Sequence, residues 1–287
     1  MEQCWSLGFA AAGSLLRKQA RRWASPGGQR ILIVAPHPDD EAVGCAGTIL
    51  RHVQAADRVC LAVATDGRQS TAIPDPEEMS GQRKREAFQA AELLHIDRLE
   101  WIGLEEGAWN VVTLKERLKA LMVAVAPDII YAPSRIDFHP EHLRVAHALA
   151  LALSEVEVSS LPARMRVYPI QVPLDPYLVN LVTDVSAVRL QCEAVLRAYV
   201  SQAPSIHCAR RRRRYSALLH RIRGQAEELW ELPAARYVAL HREPPVSWPE
   251  VFRGLRNFSL TDPLAYLAGL RERRRIGCGR LPVVDRP

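Results

Sequence analysis

The feature that most constrains the fold is a rhythm of short, unbroken apolar runs separated by helical stretches. Residues 31–35 and 59–64 are apolar without alternation, as strands covered on both faces are. Residues 41–54 between them read as a helix. Gly44 and Gly47 lower its propensity but let it lie close to a sheet. The rhythm continues with a polar loop over 68–80, a helix over 82–94, a strand over 98–104 and a helix over 114–125. A strand over 128–132, a helix over 143–153 and a strand over 166–171 follow. Strands joined by helices pair in parallel. The expected architecture is therefore α/β: a Rossmann-like, doubly wound, mostly parallel sheet with helices on both faces. After about residue 173 the rhythm fades; residues 186–199 and 210–230 read as helices, a helical C-terminal region.

A chain of 287 residues, 48% hydrophobic and 24% charged, holds a full core and is not disordered in bulk. The expected divisions are an N-terminal extension over 1–28, a main domain over 29–240 and a C-terminal extension over 241–287. Six cysteines, none in a CxxC pair, argue against a zinc ribbon and for reduced thiols and a cytoplasmic setting. No apolar run is long enough to span a membrane. The basic cluster Arg17, Lys18, Arg21 and Arg22 follows the apolar stretch 5–16, the reverse of a secretory signal. That stretch is either a helix packed on the domain or an interfacial helix with Trp5, Phe9 and Trp23 at lipid headgroups.

In parallel sheets ligands bind beyond the carboxyl ends of the strands. Pro36-His37-Pro38-Asp39-Asp40-Glu41 stands there, after the first strand. A plain alternative is that the three acids complement a helix dipole. That alternative weakens because Asp137-Phe138-His139-Pro140-Glu141-His142 follows another buried strand. Together the two stretches offer His37, Asp40 and His142, two imidazoles and a carboxylate, a catalytic zinc pattern that leaves a fourth position open. The same set suits ferrous iron. Asp39 and His139 stand beside it.

These residues resemble the PIG-L/LmbE-like de-N-acetylase family. Five specified residues recur by chance in about one chain of this length in ten thousand at ~1 in 20 per position. Gly44-Cys-Ala-Gly47-Thr48, Thr65-Asp-Gly67, Arg83-Lys-Arg-Glu86, residues 90–94 and Tyr199-Val-Ser-Gln202 extend the resemblance over roughly residues 29–240. It implies a Zn2+-dependent enzyme that hydrolyses an N-acetyl amide on an amino sugar, with His37, Asp40 and His142 on the metal. It implies Asp39 as general base, His139 as transition-state stabiliser or proton donor, and Arg83 as a substrate contact. Three residues depart from the usual family pattern: Pro36 for Ala, Glu141 for Asp between the second pair of histidines, and Arg68 for Glu after Thr65-Asp-Gly67. Arg68 reverses a charge near the mouth of the site and is a second candidate substrate contact. An acylated antibiotic or thiol conjugate as substrate, and a non-catalytic sugar-binding role, are the alternatives.

The formal net charge of +6 favours an anionic substrate or surface without implying nucleic acid. The run Arg210–Arg214, with Arg221 and Arg223, is either a solvated helix face or a site for an anionic ligand. No aromatic platform accompanies it, which argues against nucleic acid. His52, His95, His147, His207, His220 and His241 read as surface or internally bonded histidines. No GxGxxG or Walker motif occurs, so a dinucleotide site has little support. Oligomeric state is not legible.

Overall fold

The computed structural model describes residues 2–15, 20–157, 161–245 and 269–279. The apolar runs become β2 (Arg30–Ala35), β3 (Arg58–Thr65), β4 (Arg98–Leu104), β5 (Ile129–Ala132) and β6 (Arg164–Val167). Those five pair in parallel in the order β4-β3-β2-β5-β6. Three further strands, β1 (Arg21–Trp23), β7 (Leu181–Asp184) and β8 (Ala226–Leu232), complete an eight-stranded sheet of order β1-β7-β8-β6-β5-β2-β3-β4. β8 runs antiparallel to both β6 and β7, and β1 is parallel to β7.

The helices are α1 (Glu2–Leu15), α2 (Asp40–Gln54), α3 (Pro76–Leu94), α4 (Val111–Val125), α5 (Pro140–Glu155), α6 (Arg189–Ala198), α7 (Ala203–Leu219), α8 (Ala234–His241) and α9 (Leu270–Gly277). Alternate residues of each central strand enter opposite cores. Leu32, Val34, Cys60 and Ala62 pack with α4, α5 and α8 on one face. Ile31, Ile33, Val59 and Leu61 pack with α2, α3 and α6 on the other. Strands buried on both sides need no polar alternation, which is why these runs are apolar throughout. Each valine, leucine or isoleucine among them contributes roughly 1.5–3 kcal/mol by leaving water.

Several features differ from the sequence reading. Residues 226–230 were expected in a helix but lie in β8; Ala-Glu-Glu-Leu-Trp-Glu-Leu has high helix propensity, yet pairing between β6 and β7 overrides it. α3 begins at Pro76 rather than residue 82. The Asp75 side chain caps it by accepting from Glu78 N at 2.8 Å, with proline at the first helical position. Residues 21–23 of the expected N-terminal extension form the edge strand β1. α1 lies on α7, with Phe9 against Tyr215 at 4.3 Å between ring centroids. Phe9 and Trp23 are buried in these contacts, so two of the three aromatic residues expected at a lipid surface are taken up inside the protein. Among the described residues no helix is long and apolar enough to cross a membrane. Trp248 lies outside the described residues.

The arginine run is not simply a solvated face: Arg212 and Arg213 are buried. α2 is kinked at Cys45, whose φ of −150° is non-helical, and the backbone groups around the kink need partners. Arg212 Nη2 donates to Val43 O at 2.8 Å, and Arg213 Nη2 donates to Ala42 O at 2.7 Å. Glu227 accepts from Gly47 N at 3.0 Å and Thr48 N at 2.7 Å, and is bonded to Arg213 Nε at 2.8 Å. A side chain at Gly44 would collide with the Tyr168 ring, 2.2 Å from the built Cβ, so the kinked segment requires glycine there.

Candidate active site

β2 pairs with β3 on one side and β5 on the other, so the connections leaving β2 and β5 diverge at the centre of the carboxyl edge. Such a switch point leaves a crevice. The loop after β2 brings His37, Asp39 and Asp40; the loop after β5 brings Asp137, His139 and His142. Gly67 follows β3 and Glu106 follows β4. These residues, with Arg83 of α3 and the turn at Ser201 and Gln202, line a cavity of about 570 Å³ apart from Asp137, which sits behind His142.

Three atoms converge. His37 Nδ1 lies 3.1 Å from His142 Nε2, and each nitrogen lies 3.3 Å from Asp40 Oδ2. Metal–ligand bonds of about 2.0–2.1 Å at tetrahedral angles separate ligand atoms by about 3.4 Å, so this triangle has the size of a metal face. The outer nitrogens are held by carboxylates: His37 Nε2 is 3.0 Å from Glu106 Oε1, and His142 Nδ1 is 3.0 Å from Asp137 Oδ2. Glu106 keeps the His37 ring proton on Nε2 and turns the Nδ1 lone pair inward, the arrangement metal-binding histidines use, while Asp137 stands at ion-pair distance behind His142. Two ring nitrogens facing one another 3.1 Å apart are stable only around a cation or a shared proton. The residues present therefore fit a divalent metal ion. Burial works against the Asp40 charge, but the His142 and His37 rings hold its carboxyl well below the usual range.

A second trio, His37, His139 and His142, also places candidate ligand atoms within 4.8 Å of one another. The tighter set is the better one. His139 caps α5: its Nδ1 accepts from Glu141 N at 3.3 Å. That leaves the proton on Nε2, making it a donor and not a ligand. Burial, and then the neighbouring His142 and His37, push the His139 pKa down to about 4, so the ring is neutral.

The three acids do stand at the start of α2, where they complement its dipole, but their side chains are bonded elsewhere. Asp39 occupies the cap position of α2 but makes no side-chain cap bond, and its φ of 129° is a strained value for a non-glycine residue. Its Oδ1 instead accepts from Arg83 Nη2 at 2.8 Å. Asp40 Oδ2 accepts from His37 N at 2.8 Å, and Glu41 Oε1 accepts from Tyr199 Oη at 2.6 Å. Burial raises the Asp39 pKa to about 6 despite the opposing Arg83 charge, with Asp40 adding to the rise. Arg83 lies over Gly67, where a Cβ would stand 2.5 Å from its Nε; the positive φ of 68° there also suits glycine.

Residues 32–153 match the family described as PIG-L: GlcNAc-PI de-N-acetylase. That match runs from β2 into α5, the part of the chain that carries both histidine stretches. It is 25% identical over 237 residues to a diacetylchitobiose deacetylase of Thermococcus kodakarensis, covering 74% of this chain and 77% of that one. It is 26% identical over 161 residues to a 1D-myo-inositol 2-acetamido-2-deoxy-alpha-D-glucopyranoside deacetylase of Kineococcus radiotolerans, covering 44% of this chain but only 45% of the relative. Among solved structures, the N,N'-diacetylchitobiose deacetylase of Pyrococcus horikoshii superposes with a TM-score of 0.62 at 18% identity, over 73% of this chain and 85% of that one. The 4-carboxy-2-hydroxymuconate hydratase GalB of Pseudomonas putida superposes with a TM-score of 0.60 at 16% identity, over 76% and 98%. The structural likenesses are of fold, and one fold hosts different reactions.

His37, Asp39, Asp40, His139, His142 and Arg83 all line the cavity. Arg68 does not. Its guanidinium is bonded to Asp66, Glu77 and Glu105 at 2.7–3.3 Å, and Asp66 in turn accepts from Glu106 N at 3.1 Å. The candidate substrate contact thus braces the loop that carries Glu106. Glu141 turns from the cavity to Trp109 and Arg144. Glu106 and Asp137 carry no role in the sequence reading. Asp137 opens the second histidine stretch and was within reach; Glu106 has no motif of its own.

Proposed function

We propose that the chain hydrolyses the N-acetyl amide of an N-acetylglucosaminyl compound, releasing acetate and a free amine, with a divalent metal ion held by His37, Asp40 and His142. Zinc is the ion that the donor set suits first; ferrous iron is the alternative. When bound, such an ion supplies Lewis acidity that polarises an amide carbonyl and acidifies water. The observation that carries the reading is the convergence of His37 Nδ1, Asp40 Oδ2 and His142 Nε2, 3.1–3.3 Å apart, with Asp39 beside them and a carboxylate behind each ring.

Asp39 takes a proton from the attacking water and returns it to the departing nitrogen. Arg83 occupies its Oδ1, so Oδ2 is the oxygen left for that transfer. General base help of this kind is typically worth ~10²–10⁴-fold. His139, neutral and protonated on Nε2, donates to the oxyanion that develops on the carbonyl, where one donor is worth roughly 3 kcal/mol. Glu106 keeps the His37 ring in the required tautomer, and Asp137 stands behind His142. The cavity of about 570 Å³ falls within the range of small-molecule sites. The names of the relatives support an amino-sugar substrate; an N-acylated antibiotic or thiol conjugate is the other substrate class.

The test is metal content and acetate release on wild-type protein and Asp39→Ala, with N-acetylglucosamine and its conjugates. Acetate from wild type, with metal in both proteins and no turnover in the variant, supports the proposal. Metal without acetate moves the search to other N-acyl substrates. Absence of bound metal sinks it.

A further inference from the structure

The net charge of +6 favours an anionic substrate, but the wall of the catalytic cavity does not carry that charge. Among the described residues Arg83 is the one lysine or arginine that lines it, and its guanidinium is already bonded to Asp39 Oδ1 at 2.8 Å. Asp39, Asp40 and Glu106 line the same cavity, two carboxylates more than Arg83 balances. A divalent ion on His37, Asp40 and His142 offsets that excess and leaves no positive charge over for a phosphate or carboxylate. Like charges brought together on binding are strongly disfavoured.

The remaining polar wall is neutral and comes from separate segments. Thr71 stands in the loop after β3, Gln171 in the loop after β6, and Gln202 in the turn before α7. Gln202 ends the Tyr199-Val-Ser-Gln202 stretch, for which the reaction has no use. Ser201 Oγ donates its proton to Glu86 Oε2 at 2.6 Å, so toward Gln202 it can only accept. Gln202 Nε2 is therefore the atom 3.1 Å from Ser201 Oγ and 2.9 Å from Ser70 Oγ, and Oε1 is left as an acceptor with no described partner. Gln171 is anchored through its backbone, whose N–H donates to Asp137 Oδ2 at 3.3 Å, while its side-chain amide is bonded to no described residue. An amide offers a donor and an acceptor side by side, which the neighbouring hydroxyls of a sugar match. An acceptor such as Gln202 Oε1 takes a hydroxyl proton and repels an anionic oxygen.

We propose that Gln171 and Gln202 are specificity-determining residues that bind hydroxyl groups, so that the substrate is a neutral, hydroxyl-rich conjugate of an acetamido sugar and not one bearing phosphate or carboxylate. The inference rests on the reading of the reaction given above and narrows its substrate class.

The test uses the full chain loaded with zinc, and N,N'-diacetylchitobiose beside its 6'-phosphate, two compounds that differ in the phosphate alone. Acetate release from the neutral compound is expected to exceed that from the phosphate by at least about tenfold in kcat/KM. Gln171→Leu, which keeps the bulk and removes the amide, should raise KM for the neutral compound about three- to tenfold with kcat held, as when binding is lost equally from ground and transition states. A merely structural role would lower kcat as well. Should Gln171→Leu fail to fold, Gln202→Leu reads the same loss. If neither compound releases acetate, the reading of the reaction fails, and both are then plain ligands whose affinities calorimetry reads on the same protein. Tighter binding of the neutral one, weakened by Gln171→Leu, upholds the specificity without the reaction. Preference for the phosphate, an unchanged KM or Kd in the variant, or binding of neither compound overturns the proposal.

Discussion

Two clusters of buried charge sit along α2, one at its start and one at its middle, and they treat charge in opposite ways. At the middle, the Arg213–Glu227 pair and Arg212 are spent on backbone groups that a kink leaves without helical partners. At the start, His37, Asp40 and His142 aim atoms at one another across a gap, and Asp39 is held at a strained φ of 129° with its carboxylate turned from the helix it precedes. Burial of charge therefore does not by itself mark a functional site. What marks it is a set of groups that satisfy one another poorly until something enters between them.

The comparison breaks if the two clusters respond alike to mutation. The largest effect is expected at the start of α2: Asp39→Asn, whose amide oxygen can still accept from Arg83 and which tolerates a positive φ, should lose about 10²–10⁴-fold in turnover with a smaller loss of stability than the change at Arg213. An acetate-release assay beside a melting curve reads both. Arg213→Met should do the reverse. Leaving Glu227 buried without its cation costs about 3–5 kcal/mol by urea unfolding, and the refolded fraction should keep its kcat. If kcat fell in step with stability, the two clusters would not be separable.

A smaller change tests the carboxylates behind the rings. Asp137→Asn should weaken metal affinity by about 10–100-fold, measured by competition with a chelator, without abolishing binding. Full affinity in that variant would mean that Asp137 does not support His142 as a ligand.

The smallest effect concerns the far side of the second histidine loop. His241 Nε2 accepts from Arg135 N at 3.1 Å and its Nδ1 donates to Tyr237 O at 2.8 Å, so the ring must be neutral. Burial pushes its pKa down to about 3. Between the unfolded value near 6.5 and that figure, the unfolded state binds the extra proton. Stability is thus present above pH 6.5 and lost as pH falls, at up to about 1.4 kcal/mol per pH unit. His241→Gln should flatten that slope between pH 6 and 5 in unfolding experiments; an unchanged slope would falsify the assignment.

Much of the sheet was legible in the sequence because its central strands are apolar on both faces, and that pattern depends on nothing outside the strand. The histidine stretches were legible for a related reason: strand ends in a parallel sheet are where such groups gather, and each stretch is contiguous. β8 was not legible, since its acidic, leucine-rich sequence favours a helix until β6 and β7 flank it. Glu106 was missed because it meets His37 across 69 positions of chain with no motif around it. The arginine run misled in the same way: five identical residues carry no sign of which two will meet Ala42, Val43, Ile170 and Glu227.

By itself the sequence determined the alternation of strands and helices, the crevice where the chemistry must lie and the residue types available there. Only the tertiary structure decided how three adjacent acids divide their work: Asp39 to Arg83, Asp40 to the two histidines, Glu41 to Tyr199. The physical reason is range. Periodicity and propensity act over a few residues, whereas the proton and charge on each of these groups are set by neighbours that folding brings from as far as 158 positions away.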